Sequence, residues 1–229
     1  MHKSTYGGMF AVLVCAALVS GCASQPAVPN SGYLGDGYSE LKEAKDPRGD
    51  PMLAYFSPKL TPANYSAVML DPLQFYPTPK PTKQVSEQTL REIGQYTNQT
   101  LRQVLGEKVQ VVDQPGPGVV RISIAFTAVR GQDEALEAYQ YIPLAFIVTS
   151  ASRAATGTPQ QARLLCEIKA VDSVSGERLA MQVRSGTGKA LKQAAGGGGL
   201  QVTLDSVKPV LDRWINASAE GVTRYVKTK

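Results

Sequence analysis

Hydrophobic and polar residues alternate along three stretches of this chain, which is the pattern of strands that bury one face. Apolar side chains occupy every second position in 119–129. The stretches 163–172 and 177–184 alternate in the same way on either side of a Ser-Val-Ser-Gly turn, so they predict a hairpin. Leu179, Met181 and Val183 form the predicted inward set of its return strand. Shorter apolar runs predict further strands at 52–56, 67–75 and 109–112.

Two other stretches carry apolar residues at every third or fourth position, as amphipathic helices do. The first runs from Ser86, which suits an N-cap, to Gly106, which suits a C-terminal stop. The second covers about 204–226. Because proline fits best in a first turn, Pro209 places the regular start of this helix near Lys208.

The order of these elements predicts an α+β domain: a mixed, largely antiparallel β-sheet with two main amphipathic helices packed on it. The tyrosines and leucines of 33–41 are too apolar for a linker, and we expect them to pack on the domain. The apolar segment Tyr139–Val148 is ambiguous. A buried strand or a core helix is favoured, and an exposed segment that contacts the membrane or a partner is the alternative.

The N-terminus has a positive start, Met1–Lys3, an apolar run from Met9 to Val19, and then small residues. This order is typical of a secretory signal peptide, and the run is too short for a membrane-spanning helix. Val19-Ser20-Gly21-Cys22 resembles a lipobox, the processing site of bacterial lipoproteins. We therefore interpret 1–21 as a lipoprotein signal peptide.

The lipobox resemblance implies that the chain is cut before Cys22 and that the Cys22 sulfur receives diacylglycerol. It also implies that the new amine is acylated, with chains of the palmitate type, and several such chains anchor a protein stably. Ala23 stands where an aspartate would retain such a protein at the inner membrane, so the outer membrane is indicated. Residues 22–30 then form a lipidated, Pro-rich tether, and 31–229 form a single α+β domain facing the periplasm.

The only histidine of the chain is His2, inside the signal peptide. The mature protein therefore has no Ser-His-Asp or Cys-His pair and no histidine metal site, and we expect neither a cofactor nor a metal. The net charge of +5 is spread without a long basic run, which opposes nucleic-acid binding. Cys166 alternates with apolar residues and is interpreted as a small buried side chain.

Ser185–Ala190 contains a Gly-Lys pair, but it lacks the phosphate-loop pattern. Val183 stands where that pattern needs glycine, and Ala190 replaces the metal-binding Ser or Thr. We predict flexible loops here and at Gly196–Gly199.

Four motifs are similar to those of the bacterial lipoprotein family DUF3313. They are S-G-Y-L at 31–34, Y-S-x-L-K at 38–42, Leu70-Asp71-Pro72, and the C-terminal stretch 207–214. The resemblance covers roughly 31–226 and implies an outer-membrane or periplasmic lipoprotein. It brings no established activity, so the lipobox Cys22 is the only residue to which it assigns a role.

The leading hypothesis is an outer-membrane-anchored lipoprotein that acts as a non-enzymatic binding or accessory module in the cell envelope. Its partners would be the membrane, through the lipid anchor, and an envelope protein or peptidoglycan, with no nucleic acid. One alternative is a carboxylate enzyme acting on peptidoglycan or another glycan, with these candidates: Asp71, Asp133, Glu134, Glu137 and Glu167. The other is a periplasmic carrier of an apolar ligand, suggested by Tyr139–Val148 and excluded by a fully filled core.

Cys22→Ala should leave the protein without acyl chains and release it from the membrane wherever cleavage still occurs, because the sulfur that carries the lipid is gone. Mass spectrometry of the purified protein and fractionation of cells check this. An acyl mass equal to that of the wild type would show the anchor assignment to be wrong.

Overall fold

The computed structural model describes residues 31–79, 81–131, 160–194 and 199–229. The signal peptide, Cys22, the tether, the segment Tyr139–Val148 and most of the run Gly196–Gly199 lie outside the described residues. Predictions made for them stay predictions.

The described chain begins with a short 3₁₀ helix and continues with strands that alternate with two long helices. The elements are 3₁₀ helix Gly35–Glu40, β1 Lys42–Lys45, β2 Pro51–Phe56, β3 Ala67–Leu70, β4 Gln74–Phe75, α1 Glu87–Gly106, β5 Gln110–Val112, β6 Val119–Gly131, β7 Gln161–Asp172, β8 Arg178–Ala190, β9 Lys192–Gln193, β10 Leu200–Gln201 and α2 Leu204–Val222.

The main sheet has the strand order β1-β2-β8-β7-β6-β3-β5, and β4 also pairs with β6. Neighbours from β1 to β6 in this order are antiparallel, whereas β3 runs parallel to both β6 and β5. Parallel neighbours need a crossover connection, and α1 lies between β3 and β5 in the chain. The predicted α+β fold, with a mixed, largely antiparallel sheet and two main helices, is confirmed.

The ends of several elements differ from the predictions. The strand expected at 67–75 is interrupted after Leu70, because Pro72 has no N–H to donate to the ladder, and it resumes as β4. Helix α2 begins at Leu204 rather than near Lys208. The Thr203 hydroxyl accepts a bond from the Ser206 N–H, and the Ser206 hydroxyl accepts from the Thr203 N–H. This capping box fixes the earlier start and leaves Pro209 inside the helix.

Both faces of the sheet are covered. On one face α1 and α2 pack through Ile93, Leu211 and Trp214 against sheet residues such as Phe126 and Leu164. On the other face lies the segment from Ser31 to Leu41, which we call the N-terminal strap. Its apolar side chains form a core with the odd-numbered residues of the central strands, confirming that 33–41 belongs to the domain. These residues are Tyr33, Leu34, Tyr38, Leu41, Ala125, Leu165, Met181 and Val183.

The flexible loop predicted at Ser185–Ala190 is wrong, since these residues continue β8. Their glycines let α2 cross directly over the strand. A Cβ atom on Gly188 would lie 2.1 Å from the Ser206 carbonyl oxygen, and one on Gly186 would lie 2.5 Å from Val210 Cγ1. Glycine is needed here for close approach of a helix, and not for phosphate binding.

Gly188→Ala should lower the free energy of unfolding by about 2 kcal/mol, because the new methyl group meets helix backbone that has to move. Urea unfolding followed by circular dichroism measures the change. Gly199→Ala is the matched control, since a Cβ there meets nothing within 4 Å. Equal stability of the two variants would contradict this account of the strand.

Candidate functional site

An apolar cavity of about 170 Å³ lies between the sheet and the helices. Its helical wall includes Leu101 and Leu105 of α1 and the last turns of α2, and its sheet wall comes from β2, β3, β6, β7 and β8. Small residues line both its sheet wall and its helical wall, and their short side chains leave the space unfilled. They are Ala44, Ala170, Ala180, Ala217 and Gly221.

The cavity wall contains a buried ion pair. Arg184 Nη1 lies 3.2 Å from Asp46 Oδ2, and the side chains are 5% and 1% exposed. Asp46 Oδ1 also accepts backbone N–H bonds from Arg48 and Asp50, at 2.9 and 3.0 Å. Burial lowers the pKa of Arg184, although the nearby carboxylates oppose that shift. Removing one member of such a pair costs about 3–5 kcal/mol, so Arg184 serves to hold the β1–β2 turn against β8.

The other polar groups inside the cavity are also bonded to the protein. Gln182 Oε1 accepts bonds from Arg184 Nε at 3.1 Å and from Nη2 at 2.9 Å. The Ser218 hydroxyl donates to the Trp214 carbonyl oxygen at 2.8 Å. Two further charged residues, Lys45 and Arg224, line the cavity and are exposed, so they mark its opening to solvent. The lining contains no Asp or Glu within the described part of the chain.

A second buried polar group lies on the opposite face, beneath the N-terminal strap. Glu167 of β7 has no exposed surface, and its Oε2 accepts a 2.5 Å bond from the Tyr38 hydroxyl. Burial raises the pKa of Glu167, and the hydrogen bond from Tyr38 opposes that shift. Lys169, two residues along the strand, lies 4.4 Å from the centre of the Tyr33 ring. The hydrogen bond from Tyr38 to Glu167 thus joins the strap to the sheet, and the strap covers Glu167.

Of the candidate catalytic carboxylates, the structure describes only Asp71 and Glu167. Asp71 Oδ1 lies 2.9 Å from Arg121 Nε, and Asp71 Oδ2 accepts a 2.5 Å bond from the Ser123 hydroxyl. Asp71 borders a second depression with Asn98 and Arg102, whereas Glu167 borders neither of the cavities described for these residues. The remaining three candidates are outside the described residues: Asp133, Glu134 and Glu137.

Two single residues, Cys166 and Trp214, lie in the interior, as predicted for Cys166. Cys166 is buried, and burial raises the pKa of its thiol to about 12, so it is an interior side chain and not a reactive thiolate. Trp214 belongs to the core between α2 and the sheet. Among residues 31–79, 81–131, 160–194 and 199–229 there is no cluster of three His, Cys, Asp or Glu side chains suited to a metal ion. No helix in those ranges is long and apolar enough to cross a membrane.

Sequence reasoning missed the cavity and its ion pair. It assigned Leu179, Met181 and Val183 as the inward set of the return strand, which leaves Gln182 and Arg184 on the outside. In the structure both sets are covered, one by the strap and the other by the helices. One signal in the sequence could have revealed the second covered face. In β8, small and polar residues alternate with apolar ones, and the strand is long enough to lie at the centre of a sheet.

The chain belongs to the DUF3313 family, described as a protein family of unknown function, whose signature matches residues 29–217. The resemblance inferred from the strap and α2 motifs is thereby confirmed. A relative from Escherichia coli K12, the uncharacterised lipoprotein YdcL, is 29% identical over 212 residues, which cover 92% of this chain and 93% of the relative. The name of that relative supports the lipoprotein interpretation of the N-terminus.

Solved structures resemble this domain only distantly. The PelC dodecamer from Paraburkholderia phytofirmans is 11% identical, covers 77% of this chain and 98% of its own, and has a TM-score of 0.39. A putative neuraminyllactose-binding hemagglutinin homologue from Helicobacter pylori is 10% identical, covers 71% and 83%, and has a TM-score of 0.32. A likeness at this level does not extend to function.

Glu167→Gln should flatten the dependence of stability on pH. Because burial raises the pKa of Glu167, the folded chain holds this proton more tightly than the unfolded chain. The stability that the folded chain gains from this tighter proton binding is fully present below the ordinary carboxyl pKa of about 4.3. It is lost as the pH rises through the raised value, whereas glutamine does not titrate. Urea unfolding between about pH 4 and about pH 8 should show the variant gaining stability relative to the wild type.

Glu43→Gln is the matched control for this series, since Glu43 is exposed on β1. It should follow the wild type across the whole pH range. A constant difference between Glu167→Gln and the wild type at every pH would show that the buried carboxyl does not titrate differently on folding.

Proposed function

We propose that this chain is an outer-membrane-anchored lipoprotein whose periplasmic domain is a non-enzymatic module that binds an apolar ligand. The observation that carries the proposal is the apolar cavity between the helices and the sheet. A carrier of an apolar ligand needs a core that is not fully filled, and this core has that property. Binding of an apolar ligand is also compatible with a wider role as an accessory component of the envelope.

The size of the cavity supports a ligand. An engineered apolar cavity of about 150 Å³ in another protein binds benzene. The cavity opens to solvent at Lys45 and Arg224, and its lining is mainly apolar. A hydrocarbon that fills it removes apolar surface from water, which is favourable.

The location and the non-enzymatic assignment rest on other observations. Cys22 and Ala23 support an outer-membrane anchor, and the relative over nearly the full chain, named a lipoprotein, supports a lipid anchor. The mature chain has no histidine. Asp71 and Glu167 are each engaged in hydrogen bonds, and neither lines the cavity. Binding without turnover is therefore the favoured function.

Ala170→Leu should weaken binding, because the larger side chain of this cavity residue occupies the space. The test uses residues 22–229 with Cys22→Ser, the unacylated mature chain, and 1-octanol as the probe. Chemical-shift changes of the methyl groups follow binding. We expect saturable binding to this chain and an affinity at least about tenfold weaker after Ala170→Leu, as follows from losing about 1.4 kcal/mol.

Val174→Leu is the control, since it adds apolar volume at a site that is 67% exposed in the β7–β8 turn. It should bind octanol like the parent chain. Absence of saturable binding to the parent chain, or equal binding by Ala170→Leu, would rule out the cavity as a ligand site.

A further inference from the structure

We infer that the ligand of the cavity is an anionic amphiphile, a free aliphatic carboxylate whose chain fills the cavity and whose carboxylate lies between Lys45 and Arg224. This inference rests on the proposed function, since it assigns the ligand class of the same cavity. It follows from how the charges of the lining are distributed.

The interior of the cavity offers little to a polar ligand group. Arg184 is paired with Asp46, Gln182 Oε1 accepts two bonds from Arg184, and the Ser218 hydroxyl is bonded to a helix carbonyl. A polar ligand atom placed there would lose its bonds to water without full replacement, which is unfavourable. The part of the ligand inside the cavity is therefore hydrocarbon.

The opening has the opposite character. Lys45 lies at the end of β1, and Arg224 lies two residues after the last residue of α2. The β1–β2 turn meets the end of this helix, because a Cβ on Gly221 would lie 3.3 Å from Pro47 Cγ. The Arg48–Glu220 ion pair, at 2.6 Å, joins the same two elements. Lys45 and Arg224 therefore belong to one rim.

The two rim cations have no carboxylate of their own. No ion pair joins either Lys45 or Arg224 to an Asp or Glu among the described residues, and no acidic side chain lines the cavity there. Arg48 and Lys59 show the contrast, since each is paired with a glutamate. An apolar interior with two unpaired cations at its opening is complementary to a hydrocarbon chain that ends in an anion.

The volume limits the length of the chain. A cavity of about 150 Å³ holds a ring of about six carbons, so a chain of roughly six to eight carbons fits with its carboxylate at the rim. Each methylene that enters the cavity should strengthen binding about fourfold, and methylenes beyond the filled volume should add little. Octanoate is therefore the matched probe for octanol.

The experiment compares octanoate, octanol and octyltrimethylammonium on the unacylated mature chain by calorimetry and by methyl chemical shifts. Exposed ion pairs are weak, so we expect octanoate to bind about three- to tenfold more tightly than octanol. The cationic amphiphile should bind most weakly. Added salt at about 0.5 M should reduce the preference for octanoate, because the rim charges are exposed and screened.

The double variant Lys45→Gln with Arg224→Gln should bring octanoate to the affinity of octanol and leave octanol unchanged. The matched control is Lys42→Gln with Lys227→Gln, which removes the same charge from two exposed lysines that do not line the cavity. The control should keep the preference. For each variant the measured quantity is the ratio of its affinities for octanoate and octanol. A general effect of the substitutions on folding changes both affinities and cancels in this ratio.

The outcomes separate the two proposals. If neither octanol nor octanoate binds, the proposed function itself fails. If octanol binds and octanoate has no advantage, or if the rim variant weakens both probes equally, the anionic assignment alone is overturned. A lysophospholipid that displaces octanoate at a lower concentration than octanoate itself needs for binding would overturn the assignment of a free carboxylate.

Discussion

The structure depends on burying both faces of the hairpin formed by β7 and β8. A sheet face stays dry only if another element covers it, and here two different elements do so. Helices α1 and α2 cover one face, and the N-terminal strap covers the other. The glycines of β8 let α2 approach the strand closely, which seals the helical side.

Complete burial explains the two charged groups in the interior. Arg184 on the helical face and Glu167 on the strap face occupy central strands, so neither side chain reaches bulk water. Each is instead bonded to a residue in the N-terminal part of the domain: Arg184 to Asp46, and Glu167 to Tyr38. Because an unpaired buried charge is costly, these bonds tie the N-terminal part of the domain to its central hairpin.

The cavity marks the place where the same packing is left incomplete. Alanines and a glycine line the sheet wall and the helical wall, whereas the surrounding positions carry large apolar residues. The opening lies beside the β1–β2 turn, which the Arg184–Asp46 pair holds in place. The buried ion pair and the opening of the cavity thus share one segment, so the shape of the opening depends on a bond made inside the core.

Membership of the DUF3313 family and the similarity to a lipoprotein relative associate this architecture with lipoproteins but assign it no reaction. A domain held near a membrane by acyl chains encounters apolar and amphipathic molecules more often than a free protein does. A small apolar cavity with a basic rim suits that setting. The residues that make the rim and the small residues that make the space are separate, so substitutions can alter the charge of the rim and the volume of the cavity independently.

Local patterns determined the α+β class, the hairpin, both helices and the interior position of Cys166, because periodicity and capping act within a few residues. They also pointed to the family through the strap and α2 motifs. They did not reveal which element covers each face. The alternation in β8 is the same whether its polar side faces water or a partner, so Gln182 and Arg184 were left outside.

Three features were decided only by contacts between distant parts of the chain. Gly186 and Gly188 form a strand and not a loop, because α2 crosses them. Glu167, one of several acidic candidates in the sequence, is buried because Tyr38 lies over it, 129 positions away in the chain. The cavity arises from the sizes of side chains on elements that meet only in the folded state. Burial, ion pairing and empty volume are properties of assembled surfaces, and no local pattern encodes them.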